Sequence, residues 1–128
     1  MTDPPLVLSL LPGTLAVCRL SVEEAVPDWA WSGPLASVTR TGDELSIICR
    51  ADAVPEGVRC EPGWRCMKVH GPLDFGLTGI LARLTAPLAR GEIAVFCVST
   101  HDTDYVMVKA ERLDAAVGAL RAAGCRVE

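Results

Sequence analysis

The sequence predicts an α+β fold on three observations: two apolar repeats at helical spacing, several short β-like apolar runs, and turn residues between them. Leu77, Ile80, Leu81, Leu84 and Leu88 are spaced as on one face of a helix, with Asp74 just before it as a cap and Gly91 at its end. Pro87 lies inside this pattern and is expected to kink the last turn or make it irregular. A second helix is expected from about Ala110, with Leu113, Ala116, Val117 and Leu120 on one face and Gly124 past its end.

The strands fall around these helices. Residues 64–69 read as a strand that leads into the loop GPLDFG at 71–76. Residues 93–98 are continuously apolar and too short for a helix, as in a strand covered on both faces. Residues 105–108 form the next strand, with HDTD at 101–104 as the turn between them, and 125–127 form a short last strand. The order βαββαβ is the split βαβ plan of a ferredoxin-like sandwich.

The first half reads as a blurred version of the same plan. Residues 6–11 and 14–20 are extended, broken by Pro12 and Gly13, and 27–31 suit one helical turn. Residues 35–41 and 44–50 read as a hairpin around Gly42 and Asp43, 51–55 as a brief turn and 58–62 as a connection. The expected organisation is a degenerate N-terminal half, 1–62, and a regular C-terminal half, 63–128.

Composition narrows the function classes. A chain of 128 residues suits one domain or two very small modules. Twelve Lys and Arg against sixteen Asp and Glu give a net charge of -4 with no long block of either sign, which argues against nucleic acid or an anionic membrane as partner. A hydrophobic fraction of 50% and a mean hydropathy of +0.32 are high for so short a chain, and predict apolar surface buried in a homo-oligomer, read as a dimer. No apolar run is long enough to span a bilayer, and Asp3, Pro4 and Pro5 are not the basic start of a secretory signal, so a cytoplasmic protein is expected. Cys18, Cys49, Cys66 and Cys97 lie in β-like runs, where a thiol acts as a small hydrophobe; reduced core thiols are favoured over a disulfide framework.

Several residue types invite a chemical reading. His101, Asp102 and Asp104 are ligand types for a divalent cation, but an EF-hand pattern is absent and zinc needs more nitrogen or sulfur donors. Cys60 and Cys66 have no close second pair. Cys97 with His101 suggests nucleophile and base, yet burial in a strand raises the thiol pKa, and His70 has no recognisable catalytic partner. No GxSxG elbow, P-loop or dinucleotide fingerprint occurs. The reading assigns no catalytic residue, no metal and no cofactor. Trp29 and Trp31 suit core packing or a subunit contact, and Trp64 begins its strand.

Four phrases carry a resemblance: LLPGTLAVCRL at 10–20, TRTGDELSIIC at 39–49, WRCMKVHGPLDFGLTGILARLTAPLA at 64–89 and IAVFCVSTHDTDYVMVK at 93–109. They resemble the ACT domain, a βαββαβ regulatory module, in the form of small stand-alone proteins with two ACT-like halves, related to the CASTOR-type amino-acid sensors. The first half departs from the ordinary module by lacking its helix pair. The resemblance implies a non-enzymatic regulatory protein whose small-molecule ligand, an amino acid, is held at the strand–helix loop and the interface between modules. On this chain the loop is Asp74, Phe75, Gly76, Leu77, Thr78, Gly79 and Ile80. A helix N-terminus there offers N–H groups to a carboxylate, and the ammonium group needs an acceptor such as Asp74, Asp102 or Asp104. Ser99 and Thr100 at the strand end join the candidates, as do Ser37 and Thr39, whose hydroxyls share one strand face.

Each of these residues also has a plainer role. Asp74 suits a helix cap, Gly76 a turn, and Thr78 a bond to a backbone carbonyl within the helix. Asp102 and Asp104 suit a hairpin turn. At the level of the whole protein, the rivals to a sensor are an interaction module that kept the fold without a ligand, and an enzyme using a cleft between modules.

Overall fold

A computed structural model describes residues 5–74 and 76–128. They form two compact units: Pro12–Trp64, and the described residues up to Leu11 together with Arg65–Glu128.

The second of these units contains the βαββαβ plan as β5 (Arg59–Val69, of which 65–69 lie here), α1 (Ile80–Arg90), β6 (Phe96–Ser99), β7 (Asp104–Lys109), α2 (Leu113–Ala122) and β8 (Arg126–Val127). One strand is added from the start of the chain. β1 (Val7–Leu10) lies antiparallel to β5, with Leu8 opposite Val69, and parallel to β8, with Leu8 opposite Val127. The strand order is therefore β6-β7-β5-β1-β8.

The core follows from two periodicities. Leu6 and Leu8, Met67 and Val69, and Val106 and Val108 alternate along their strands and present one apolar face. Against it pack Leu84 and Leu88 of α1 and Ala116 and Leu120 of α2, each pair four residues apart and fully buried. Burying a leucine of this kind contributes roughly 1.5–3 kcal/mol.

In the other unit, β2 (Leu15–Leu20) pairs with β5 on one side and β4 (Leu45–Arg50) on the other, and β4 pairs with β3 (Ser37–Arg40), all antiparallel. Ala16, Cys18, Leu45, Ile47 and Cys49 form its core with Ala30. Two short 3-10 turns, Asp28–Trp31 and Ala51–Ala53, are its helical elements among the described residues. Cys18 and Cys60 stand directly opposite each other on β2 and β5. The six cysteines are free thiols.

Several boundaries differ from the sequence reading, each for a physical reason. The segment 58–62, expected as a connection, is strand from Arg59, because β2 supplies it with pairing partners as far as Arg59 opposite Arg19. Trp64 accordingly lies within β5 and is buried. α1 starts at Ile80, not Leu77, because Gly79 sits at φ +77°, a left-handed conformation that breaks helical continuity. Leu77 and Thr78 are therefore outside the helix, Leu77 is exposed, and Asp74 is not its cap. Pro87 lies inside the helix, which continues to Arg90, and the Gly91 N–H bonds the Pro87 carbonyl at 3.2 Å. β6 begins at Phe96, after a connection whose Ile93 is buried, and it is not covered on both faces, since Phe96 and Ser99 are exposed. Trp31 is 62% exposed and not a core residue, whereas Trp29 packs on the core. A 3-10 turn, Ala110–Arg112, precedes α2.

Candidate functional site

The site region is built from two connections that the fold brings together. The first runs from β5 to α1. Gly71 leads it through a cis peptide bond to Pro72, and the Leu73 N–H donates to the Asp102 carbonyl at 2.6 Å. The Asp74 carboxylate accepts the Gly76 N–H at 2.8 Å and its carbonyl accepts the Leu77 N–H at 3.0 Å, so Asp74 organises a turn of the loop. Gly79 then enters α1, whose first backbone bond runs from the Arg83 N–H to the Gly79 carbonyl at 3.0 Å. Gly79 provides no side-chain cap, leaving the positive end of the helix dipole to the surroundings.

The second connection is the β6–β7 hairpin, in which Ser99 pairs with Asp104. Asp104 is thus already strand, and the turn is shorter than the predicted HDTD. The Thr100 N–H donates to the Thr103 carbonyl at 2.8 Å and closes the loop. Thr103 is buried and its hydroxyl donates to the Val69 carbonyl at 2.7 Å. The Ser99 hydroxyl donates to the Asp104 carboxylate at 2.6 Å, and His101 Nδ1 lies 2.9 Å from Asp102 Oδ1.

Between these connections lies a cleft of about 350 Å³. Asp74, Leu77, Gly79, Ile80, Ser99, Thr100, Asp102 and Asp104, all singled out in the sequence, line it. Leu73, Leu81, His101 and Thr103 line it as well and were outside the predicted site set. Thr78 and Gly76 do not line this cleft, and Ser37 and Thr39 stand on β3 in the other unit. Phe75 lies outside the described residues. A helix start without a side-chain cap had a local signal in Gly79, which interrupts the apolar repeat between Leu77 and Ile80; the burial of Thr103 had none.

The electrostatics are one-sided. Three carboxylates, Asp74, Asp102 and Asp104, face the cleft, and neither lysine nor arginine lines it. The Cys97 thiol, on β6, is pushed up by burial and then by the Asp104 carboxylate, opposite to what an activated nucleophile needs. Among the described residues no His, Cys, Asp and Glu side chains group as a metal site requires. No helix of the described residues is long and apolar enough to cross a membrane.

The ACT domain sequence model matches residues 59–122, half the chain, including both connections of the cleft. The chain belongs to the ACT-domain family. A second family model, described as an N-terminal domain, matches residues 13–57 of this ACT protein. The human cytosolic arginine sensor for mTORC1 subunit 1 is 30% identical over 59 residues, 45% of this chain, and the match spans 18% of that relative's length. A structural-genomics structure from Agrobacterium tumefaciens is 41% identical with a TM-score of 0.92, and the alignment covers 98% of this chain and 94% of that one. The ligand-free regulatory subunit of aspartate kinase from Thermus thermophilus is 11% identical with a TM-score of 0.59, covering 91% and 96% of the two chains. This ACT protein therefore shares its fold with the aspartate kinase regulatory subunit.

Proposed function

We propose that this ACT protein is a non-enzymatic, cytoplasmic sensor that binds a free amino acid in the cleft between the 73–81 loop and the β6–β7 hairpin. One observation carries the reading: the N-terminus of α1, open at Gly79, and the carboxylates of Asp74, Asp102 and Asp104 border the same small cleft. An amino acid is a zwitterion that matches both. Its carboxylate accepts from the N–H groups of the first helical turn, and its ammonium donates to an aspartate. Asp104 is the favoured acceptor, since Ser99 holds its carboxylate in place. The names of the arginine sensor and the aspartate kinase regulatory subunit support a regulatory role of this kind.

The sensor acts as a homodimer in this reading. Among the described residues β6 pairs with β7 at the end of the strand order, and the exposed Leu77, Leu81 and Phe96 supply apolar surface for a second copy. The same exposed residues favour the rival reading, an interaction module that has kept the fold without a ligand.

Thermal unfolding with a panel of free amino acids separates the two. A ligand at a hundred times its dissociation constant adds about 2.7 kcal/mol to the folded state. The expected result is a raised Tm with a subset of amino acids, reduced in Asp104→Asn. A flat response across the panel overturns amino-acid binding and leaves the interaction module.

A further inference from the structure

We infer that Cys60 and Cys18 form a peroxide-sensitive modification site, at which the half-buried Cys60 sulfur is oxidised and the buried Cys18 closes a disulfide onto it. Both belong to the unit Pro12–Trp64, so the inference does not rest on the amino-acid cleft.

Three thiols from three neighbouring strands meet in the core of this unit. Cys18 of β2 stands directly opposite Cys60 of β5, so the two side chains share one face of the sheet. Residues paired in this way have Cα atoms about 4.5 or 5.5 Å apart. Both separations lie within the disulfide range of about 4.4–6.8 Å. Cys49 of β4 stands opposite Ala16, which puts it on the diagonal from Cys18. A diagonal separation of about 7–8 Å is beyond that range, and this selects Cys60 as the partner. The Cys18 thiol hydrogen-bonds to those of Cys60 and Cys49, and the Cys49 thiol also donates to the Arg50 carbonyl at 3.6 Å.

Accessibility divides the roles. Cys60 is partly exposed, whereas Cys18 is 1% exposed. Burial, then Cys49 and Cys60, push the Cys18 thiol up to about 12, so it keeps its proton at neutral pH. Cys60 therefore meets the oxidant first. Its thiolate attacks hydrogen peroxide: an S–O bond forms, the O–O bond breaks, and the departing hydroxide takes up a proton as water. The sulfur loses two electrons and the peroxide gains them. The Cys18 sulfur then attacks the Cys60 sulfenic acid; the S–S bond forms, the S–O bond breaks, and the hydroxyl leaves with the Cys18 proton as a second water. Holding Cys18 beside its target offsets the small fraction of thiolate. Thiol exchange with a reductant restores both thiols, as in the transient disulfides of reducing compartments.

The test treats the full, folded chain with a small excess of hydrogen peroxide, blocks the remaining thiols by alkylation and maps the peptides by mass spectrometry without reduction. The expected product lacks two hydrogen atoms, joins the peptides of Cys18 and Cys60, and reverts with dithiothreitol. Cys49→Ala should still form it, and Cys60→Ser should not. Cys18→Ala should stop at a Cys60 sulfenic acid that dimedone traps. The cross-link closes the loop 19–59, so oxidised wild type should melt above the reduced chain. Six alkylatable thiols after treatment, a cross-link between any other pair, a Cys18–Cys60 link formed only in urea, Cys60 sulfinic acid in place of the disulfide, or an equal or lower Tm on oxidation overturns the proposal. These outcomes are read on the wild-type chain and decide it even if a cysteine variant does not fold.

Discussion

Thr103 donates its hydroxyl hydrogen to the Val69 carbonyl oxygen at 2.7 Å, tying the tip of the β6–β7 hairpin to the end of β5. Both residues are buried, so water cannot replace the bond. Thr103→Val keeps the shape and leaves the Val69 carbonyl without its donor. The expected cost is about 1–3 kcal/mol, read as a lower urea midpoint, with Thr103→Ser close to wild type. An unchanged midpoint in Thr103→Val would show that the hairpin is held by its other contacts.

Gly71 packs closely against the hairpin. A Cβ added there would meet the Asp102 carbonyl oxygen at 2.9 Å and the Leu73 nitrogen at 3.1 Å, both backbone atoms. Gly71→Ala must therefore push the two connections apart. The overpacking should cost roughly 1–3 kcal/mol, and amide shifts should move at Leu73 and Thr103 on both sides of the cleft. Shifts confined to residues next to Gly71 in sequence would refute the packing argument.

Leu84 and Leu88 hold α1 on the sheet, and both are fully buried. Leu84→Ala is expected to lose about 2–5 kcal/mol, from lost burial and the cavity left behind. Leu81, one residue from the buried stripe on the exposed side, is 38% exposed, and Leu81→Ala should cost well under half as much by the same measurement.

The pH dependence has a definite sign. Burial pushes the Cys66 thiol from 9.0 up to about 12. The folded chain keeps this proton when the unfolded chain has lost it, so the thiol's contribution is fully present below pH 9.0 and is lost as pH rises toward about 12. The destabilisation caused by Cys66→Ala, measured by urea unfolding, should therefore be constant from neutral pH to about 9 and shrink above it. Cys18, pushed up to about 12 by burial and then by Cys49 and Cys60, should behave alike. A destabilisation that grows with alkalinity would contradict the assignment.

How much of this was legible follows from where each signal lies. α2 was readable because Leu113, Ala116, Val117 and Leu120 repeat at helical spacing and face the core. The same rule misplaced the start of α1, because Leu77 has helical spacing to Ile80 and Leu81 but Gly79 stands between them at positive φ. Apolarity over 93–98 showed that a strand exists but not where it starts: Ile93 enters the core from a connection, and pairing with β7 starts at Phe96. For the cleft, the loop at 74–80 and the hairpin aspartates were visible as residue types. Their meeting was not, since it depends on the bond from Leu73 to Asp102 and on Thr103 reaching Val69, contacts between segments with no local pattern. β1 between β5 and β8 is a similar case: a short apolar run shows that a strand exists, not which edges it joins.

The most direct probe of the cleft is the Ser99–Asp104 pair. The serine hydroxyl donates to one carboxylate oxygen at 2.6 Å, leaving the second oxygen for an incoming ammonium group. Asp104→Asn removes the charge and keeps the size, so amino-acid affinity should fall by about tenfold or more, while stability without ligand changes by less than about 1 kcal/mol, the usual scale for a partly exposed group. Ser99→Ala frees the carboxylate without neutralising it, and a smaller loss is expected because only its orientation is given up. Calorimetry on both variants orders them: Asp104→Asn below Ser99→Ala below wild type. Equal affinity in all three would place the ammonium elsewhere, with Asp74 and Asp102 as the remaining acceptors in the lining.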